Sequence, residues 1–207
     1  MVLQRKGKEK MFEQMTIEKY CDILASNAPA PGGGSALAII GAEGCALIEM
    51  AINVTLSKMS EADENYGYLK GELNTCIRAR KRLYKLSNDD AEAYGKIVEA
   101  RKLPKNTDEE IKTRTATLQK AFHKGTLVPL ELMELCLSVL QRASSRVLPR
   151  LSKWVASDCE IGMSLLKTVL NYSTKNVYGN TCFIHDESLK RQLEKQAQAT
   201  LDEAAKY

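Results

Sequence analysis

Apolar residues recur along most of this chain at intervals of three and four positions, which is the period of an α-helix. Ile17, Tyr20 and Leu24 give the first example, and Thr16 before them is a suitable N-cap. Prolines within residues 27–31 then end that helix, because a residue before proline is pushed out of the α region. No segment shows the two-residue alternation between hairpin turns that is typical of strands. The pattern predicts an all-α protein.

A long apolar segment, residues 36–58, follows a run of three glycines. It is hydrophobic on nearly every side, and its many glycines and alanines permit close approach of neighbouring backbones. This composition is typical of the central helix of a bundle. The segment is too short, and too interrupted by Glu43, Glu49 and Asn53, to predict a membrane span. We therefore expect a central helix and no membrane.

Helix caps and helix breakers divide the rest of the chain into further helices. A long helix is predicted over residues 63–102, and residues 176–185 are predicted to be irregular and polar. The other predicted boundaries are the Thr107–Glu110 capping box, Gly125 as a C-terminal stop, Pro129 as a first-turn residue, Pro149 near a helix end, the Ser157–Glu160 capping box, and Asp186 as the cap of the last helix.

The composition is that of one globular domain, with 207 residues, of which 44% are hydrophobic and 27% charged. Much of the net charge of +4 lies in the first ten residues. Residues 1–11 are therefore predicted to be a disordered basic tail, and residues 12–207 a single bundle-like domain of about seven helices. Nucleic-acid binding needs a basic face on the folded domain, and a short basic tail does not provide one. Nucleic-acid binding is therefore not predicted.

Cysteine and histidine usage narrows the function further. The six cysteines are widely spaced, without a C-x-x-C pair, and four of them lie in apolar helical stretches. Buried free thiols are typical of a reducing compartment, and no signal sequence opens the chain, so we expect a cytoplasmic protein. The two histidines stand in no Glu-x-x-His pair, and no metal site is predicted.

The glycine run before the central helix is the first candidate site. Gly33 and Gly34 leave backbone N–H groups unobstructed, and the start of a helix carries partial positive charge. Together they suit an anion or a carbonyl oxygen, and Ser35 can add a hydroxyl. Alternatively, the glycines only let backbones pack, and Ser35 is a plain N-cap.

Two aspartates are candidate catalytic residues. Asp90 shares the apolar stripe of its helix with Leu86 and Ile97, and a carboxylate on a buried stripe must find a partner or change its pKa. The alternative is an ordinary pair with an arginine of a neighbouring helix. Asp158 lies in the first turn of a predicted helix, where the helix dipole favours an acid without any function.

Four polar residues are candidate substrate-binding residues: Asn53, Lys58, Asn176 and Asn180. Asparagines in a polar loop either turn the chain or offer amide groups to a heterocycle. Histidine is the side chain most often used as a general base, which makes His123 a candidate, yet a histidine at a helix end needs no chemical role. His185 has still less to suggest catalysis.

Five segments of the chain carry a resemblance to a known family. The Ala-Pro-Ala-Pro-Gly-Gly-Gly-Ser sequence at 28–35, followed by a small-residue helix, is similar to the opening signature of the formimidoyltetrahydrofolate cyclodeaminase and methenyltetrahydrofolate cyclohydrolase family. Later segments agree in order and spacing: Asp-Ala-Glu-Ala-Tyr at 90–94, Val-Pro-Leu-Glu at 128–131, Ala-Ser-Asp at 156–158, and the asparagines at 176 and 180. The similarity covers roughly residues 12–205.

The resemblance implies an all-α fold that forms an intertwined homodimer and acts on a tetrahydrofolate adduct. It implies either ring closure of 5-formimidoyltetrahydrofolate with loss of ammonia, or hydrolysis of 5,10-methenyltetrahydrofolate to 10-formyltetrahydrofolate. Asp90 and Asp158 would supply charge stabilisation and proton transfer. The glycine run would bind a folate oxygen or carboxylate, and the asparagines the pterin. No cofactor beyond the folate substrate is implied.

Two segments depart from the family pattern. Leu151 to Trp154 replace the usual Gly-Asn-Pro-like turn before the Ser-Asp motif, and Tyr178-Gly179 stand where an arginine and an aliphatic residue are expected. A catalytically silent binding or scaffold member of the same fold is therefore an alternative. A bundle enzyme with a metal in its core is a further one, although the sequence offers few ligands.

Overall fold

The computed structural model describes residues 11–207, and within that range it contains helices and no strand. The all-α prediction is confirmed. Most of the predicted basic tail, residues 1–10, lies outside the described residues. The helices are α1 (Ile17–Leu24), α2 (Gly33–Leu56), α3 (Glu64–Arg101), α4 (Asp108–Arg142), α5 (Ala156–Thr181) and α6 (Glu187–Ala204), with short 3-10 helices at Phe12–Gln14 and Leu148–Arg150 and a π-helical segment at Ala143–Val147.

Helix α2 lies between α3 and α5, and it buries residues such as Ile48 and Ile52 completely. By length and composition alone this helix could cross a membrane, with a mean hydropathy of 1.7. Its packing within the bundle accounts for much of that apolar character. The crossing with α5 is very close, because a Cβ on Gly44 would lie 2.9 Å from the carbonyl oxygen of Gly162. Both helices therefore require glycine at this point.

The expectation that α2 is covered on nearly every side is only partly met. One face stays exposed along its length, at Glu43, Ala46, Met50 and Asn53. We call these four positions the outer face of α2. Helix α1 lies beside this face near Ile39 and Ile40, and it has no buried residue of its own.

The predicted stop at Gly125 and restart at Pro129 are wrong, because α4 runs unbroken through both. Gly125 faces α3 and α5, where a Cβ would already touch Ile97 at 3.4 Å, so this glycine allows close packing. Pro129 is buried inside the helix although it removes one backbone hydrogen bond. Burial of the α4 face over several turns outweighs this local cost. The two predicted helices therefore form one continuous helix.

Two further local predictions are wrong, both in α5. The helix begins at Ala156 after Val155, so Ser157 lies inside the first turn and forms no capping box. The segment 176–185 was expected to be irregular, yet α5 continues to Thr181 because Val177 and Thr181 are completely buried. Only the polar residues on the other side of the helix gave the segment its loop-like appearance.

Helix starts marked by side-chain caps are confirmed. Thr16 accepts a hydrogen bond from the Lys19 N–H, and Asp186 accepts two at the start of α6. Thr107 and Glu110 form the predicted capping box. Local hydrogen-bonding chemistry of this kind depends on adjacent residues only, which is why the sequence predicts it well.

Helices α2 and α5 run antiparallel, and this defines two ends of the bundle. At one end the Ser152 N–H donates to the Thr55 hydroxyl, 3.1 Å away, so the end of α2 meets the start of α5. At the other end the glycine run lies close to the last turns of α5. We call the latter the glycine end of the bundle.

Candidate active site

A cavity of about 440 Å³ lies at the glycine end. Gly33 and Gly34 at the start of α2 form one wall, and Asp90 of α3 lies beside them. The opposite wall comes from the last turns of α5, including Asn176 and Asn180. The structure thus brings together residues from three of the predicted motifs, which are up to 147 positions apart in the sequence.

The side chain of Asp90, a residue of α3, lies at the start of α2. That helix has no side-chain cap from Gly32, its own N-cap residue, and the Asp90 carboxyl of α3 lies beside its first turn, hydrogen-bonded to the Ser35 hydroxyl. A Cβ on Gly34 would collide with the Asp90 carboxylate, so glycine is required here for the close approach. Positive partial charge at a helix start favours an acid in this position. The alternative of an arginine partner does not hold within residues 11–207, where the ion pair to Arg82 belongs to Asp89.

Ser35 links Asp90 to the backbone of α3. Its hydroxyl lies 2.9 Å from Asp90 Oδ2 and 2.8 Å from the carbonyl oxygen of Ser87. Ser35 is completely buried and lies outside the cavity lining, although it was predicted to bind substrate. Its contacts are those of a residue that positions Asp90.

The hydroxyl of Ser35 has one hydrogen for two acceptors. When Asp90 is protonated, its O–H can donate to Ser35, and Ser35 then donates to Ser87. When Asp90 is ionised, Ser35 can donate to the carboxylate instead. Burial raises the pKa of Asp90 above its ordinary value, and the Ser35 hydroxyl and N–H act in the opposite direction. The group can therefore hold or release a proton without losing its partner.

The last turns of α5 supply polar groups with free hydrogen-bonding capacity. The Asn176 amide nitrogen is buried and has no hydrogen-bond partner among residues 11–207. An unpaired buried donor is costly, so a ligand acceptor in the cavity would satisfy it. Asn180 lies one turn further on, against Gly125. Between them Gly179 contributes bare backbone to the cavity wall.

Sequence reasoning missed two residues of the cavity, Lys175 and Tyr94. Lys175 brings a cation, which lies 4.9 Å from the centre of the Tyr172 ring. It went unnoticed because residues 176–185 were expected to be a loop, which hid the helical spacing with Asn176 and Asn180. Tyr94 has the helical spacing of the apolar stripe around Asp90, which predicts burial, yet 42% of it is exposed, at the cavity.

Three predicted site residues lie at the opposite end of the bundle. Asn53 and Lys58 are exposed at the far end of α2, and Asp158 lies in the first turn of α5. Asp158 is 18 residues from Asn176 on the same helix, which at 1.5 Å per residue places it about 27 Å away. Within one chain, the structure does not bring Asp158 to Asp90.

Neither histidine lines the cavity. His123 lies within α4 and not at a helix end as expected, since that helix continues past it. His185 lies between α5 and α6, where its backbone N–H donates to Gln119. Among residues 11–207 no group of three or more histidine, cysteine or acidic side chains could hold a metal ion. All six cysteines are free, and four are buried, as the sequence predicted.

The structure thus defines an all-α protein with a polar ligand site. In this site the Asp90 carboxyl lies at a helix start, and the amides of Asn176 and Asn180 line the same cavity. Comparison with known sequences makes this specific, since the formiminotransferase-cyclodeaminase family model matches residues 16–199. The chain belongs to this family.

Individual relatives support the same family assignment. A methenyltetrahydrofolate cyclohydrolase from Methylorubrum extorquens is 37% identical over 91% of this chain and 90% of its own length. The formimidoyltransferase-cyclodeaminase of Rattus norvegicus is 28% identical over 96% of this chain, which spans only 36% of that longer protein. The crystal structure of a formiminotetrahydrofolate cyclodeaminase from Thermotoga maritima superposes with a TM-score of 0.82 at 24% identity, covering 94% of this chain and 92% of that one. This last likeness supports the fold.

Proposed function

We propose that this protein is an enzyme acting on the bridge between N5 and N10 of tetrahydrofolate adducts. The observation that carries the proposal is the Asp90 carboxyl, held by Ser35 over the start of α2 inside the cavity. Among the two reactions of the family, hydrolysis of 5,10-methenyltetrahydrofolate is favoured. A relative that is 37% identical, over 90% of its own length, bears that name. Cyclodeamination of 5-formimidoyltetrahydrofolate is the second activity.

The hydrolysis needs one charge stabiliser and one proton carrier. The methenyl carbon between the two nitrogens is cationic, and the Asp90 carboxylate would stabilise it in a site with little water. Water adds to this carbon and loses a proton, which Asp90 accepts. The bond from the carbon to N5 then breaks as Asp90 returns the proton to N5, and the remaining hydroxyl proton is released to solvent, which gives 10-formyltetrahydrofolate. A positioned acid–base group of this kind contributes about 10²- to 10⁴-fold.

The same residue serves the cyclodeamination. N10 attacks the formimidoyl carbon, and the departing nitrogen must gain a proton before ammonia leaves. A carboxyl with a raised pKa retains its proton to a higher pH than an ordinary aspartate and can donate it. Ser35 keeps the group in place in both protonation states, as its two contacts at 2.8 and 2.9 Å allow.

The rest of the cavity would bind the folate. The amides of Asn176 and Asn180 offer donors and acceptors to the edge of the pterin, and the unpaired nitrogen of Asn176 gains an acceptor. Backbone N–H groups at Gly33 and Gly34 suit an oxygen or a carboxylate of the substrate. Lys175 adds a positive charge at the same cavity for the anionic substrate. No cofactor beyond the folate is part of the proposal.

We further infer that two copies of the chain form the working enzyme. Helix α1 has no buried residue, and Ile17 on it is 82% exposed. A second copy laid antiparallel on the outer face of α2 would cover these groups by a two-fold axis. The partner's Asn53 and Asp158 would then approach the glycine end, which gives the far-end residues a place in the site.

A spectrophotometric assay on the purified protein tests the proposal. Methenyltetrahydrofolate and formimidoyltetrahydrofolate are offered separately, in a buffer where spontaneous hydrolysis is measured first. Loss of the methenyl chromophore above that rate indicates hydrolysis, and its appearance from the second compound indicates ring closure. A catalytically silent member would change neither rate, and that result contradicts the proposal. We also propose that the protein acts in the cytoplasm and that its reaction involves neither nucleic acid nor a membrane.

A further inference from the structure

Tyr94 is the one aromatic side chain among the described residues that line the cavity at the glycine end. It lies on α3, four residues after Asp90, and both residues line this cavity. Residues four apart lie on the same face of a helix, with Cβ atoms about 5–6 Å apart. Helical side chains lean toward the N-terminus of their helix, so the Tyr94 ring leans toward the turn that carries Asp90. The ring and the carboxyl are therefore neighbours in the cavity.

Contacts within the chain do not explain why this ring is exposed. Six aromatic side chains among residues 11–207 are exposed, and four of them contact a cation, another ring or a hydrogen-bond partner. The four pairs are Tyr68 with Arg150, Tyr172 with Lys175, Phe183 with Phe122, and Tyr178 with Gln198. Trp154 and Tyr94 have no such partner within the same residues, and Trp154 lies outside the cavity. The Tyr94 ring is thus available to a ligand.

The rest of the cavity lining complements an aromatic face. Offset stacking and edge-to-face packing favour contact between flat rings beyond the apolar area that they bury. The amides of Asn176 and Asn180 belong to the same lining and can donate to or accept from the polar edge of a ring. One cavity therefore offers both a face contact and edge contacts, which is what recognition of a flat, polar heterocycle needs.

We propose that Tyr94 binds the substrate by stacking on the planar pyrimidine ring of the pterin, and that this contact sets N5 beside the Asp90 carboxyl. The inference rests on the proposed function and adds to it the residue that orients the ring. N5 belongs to the ring fused to the pyrimidine ring, so the bridge carbon on N5 lies next to the stacked part. Because Tyr94 and Asp90 are one helical turn apart, a ring stacked on Tyr94 brings its bridge carbon within reach of Asp90.

Substitutions at position 94 separate the ring from its hydroxyl. Tyr94→Leu and Tyr94→Ala remove the ring, whereas Tyr94→Phe removes the hydroxyl alone. Tyr68→Leu is the matched control, because Tyr68 is a similarly exposed tyrosine of α3 that lies outside the cavity. All variants are made in the full chain, and thermal unfolding measures their folding. Calorimetry with 5-formyltetrahydrofolate, a stable analogue, measures binding, and steady-state kinetics give KM and kcat for methenyltetrahydrofolate.

Two fragments of the substrate locate the contact. 6-Methyltetrahydropterin, handled without oxygen, carries the pterin rings alone, and p-aminobenzoylglutamate carries the other half of the molecule. Each fragment is tested as a competitive inhibitor of the wild type and of the position 94 variants. Loss of the Tyr94 ring should weaken inhibition by the pterin fragment and leave inhibition by p-aminobenzoylglutamate unchanged.

Both variants without the ring should fold, because the side chain is largely exposed. They should bind 5-formyltetrahydrofolate about tenfold more weakly, which is within the range found for nucleobases stacked on aromatic side chains, and KM should rise by a similar factor. Tyr94→Phe should restore most of the affinity that Tyr94→Leu loses. Tyr68→Leu should keep wild-type binding and KM.

Wild-type binding in Tyr94→Leu and Tyr94→Ala, or an equal loss in Tyr94→Phe, would overturn the inference and leave the proposed function standing. A loss of inhibition confined to p-aminobenzoylglutamate would overturn it as well, since the ring would then contact the other half of the substrate. A wild type that neither binds nor converts folate would overturn both the inference and the proposed function.

Discussion

At the scale of single residues, the substitution Asp90→Asn should lower turnover about 10²- to 10⁴-fold, because the amide can neither accept a proton nor balance a cation. Helicity, measured by circular dichroism, should stay at the wild-type level. Glu92→Gln on the same helix is the control, since Glu92 is exposed and pairs with Lys96, one turn away. Wild-type rates in Asp90→Asn would remove Asp90 from the mechanism.

Asp90 also shows what the sequence could and could not reveal. Its place on an apolar stripe predicted a buried carboxyl, because periodicity alone assigns a residue to a helix face. The partner was not predictable, since Ser35 is 55 positions away. The same limit applies to Ser35, which could be a plain N-cap by sequence and is completely buried. Chemistry can be inferred from a residue type, whereas contacts require the fold.

The raised pKa of Asp90 also predicts a pH dependence of stability. The folded state holds the Asp90 proton more tightly than the unfolded state, whose pKa is near 3.8. This stabilisation is complete below that pH and is lost as the pH rises through the folded-state pKa. The unfolding free energy of wild type relative to Asp90→Asn should therefore fall as the pH rises from about 4, as measured by urea titration. A difference that stays constant, or increases, would contradict the raised pKa.

Ser35→Ala should raise the pKa of Asp90 further, because the Ser35 hydroxyl lowers it. If the carboxylate form is active, the acidic limb of the kcat profile moves to higher pH. The control is Ser173→Ala, since Ser173 is equally buried and its hydroxyl has no hydrogen-bond partner in the described part of the chain. That variant should keep the wild-type pH profile. An unshifted acidic limb in Ser35→Ala would mean that Ser35 serves packing alone.

At the scale of helices, local signals predicted the starts better than the interiors. Caps at Thr16, Thr107 and Asp186 are set by neighbouring residues, and all three are found. Gly125 and Pro129 are equally strong local signals, yet burial of α4 against its neighbours overrides them. The polar face of α5 led to a wrong loop prediction in the same way. As a result, the sequence did not show that Lys175 and Asn176 belong to one helix. Tertiary packing, which the sequence does not display, decides such cases.

The crossing of α2 and α5 gives a prediction at this scale. A Cβ on Gly162 would lie 2.6 Å from the backbone oxygen of Gly44, and backbone cannot move aside as a side chain can. Gly162→Ala should therefore lower the unfolding free energy by about 1–3 kcal/mol, as measured by chemical denaturation. Gly67→Ala is the matched control, because a Cβ on that α3 glycine meets nothing within 4 Å. It should leave stability unchanged or raise it; a neutral Gly162→Ala would mean that the helices separate easily.

At the scale of the whole molecule, the predicted site residues fall into two groups at opposite ends of the bundle. Gly33, Asp90 and Asn176 belong to the glycine end, while Asn53 and Asp158 belong to the other. Sequence patterns cannot tell the ends apart, because a motif carries no information about the direction in which its helix packs. An antiparallel second copy on the outer face of α2 reconciles both groups. Asp158 can therefore take part in the reaction only in a dimer, whereas Asp90 can act within one chain.

The outer face of α2 tests this assembly. Wild type should sediment with about twice the chain mass of 23.0 kDa. Met50→Lys places a charge in the middle of the outer face and should give monomers, because an unpaired charge in an apolar interface is costly. Ile111→Lys is the control, since Ile111 is also exposed but lies at the start of α4, and it should stay dimeric. A dimeric Met50→Lys would place the interface elsewhere.

A mixing experiment distinguishes a site shared between two copies from a site within one. Asp90→Asn and Asp158→Asn should each be nearly inactive alone if both residues serve the reaction. In a mixed dimer of the two variants, one shared site carries both substitutions and the other carries none. Equal mixing, with subunits allowed to exchange, should then restore about a quarter of wild-type activity, because half the dimers are mixed and each has one intact site. An active Asp158→Asn dimer would confine the chemistry to Asp90. Without recovery, two inactive variants would mean that the site is not completed across the two-fold axis.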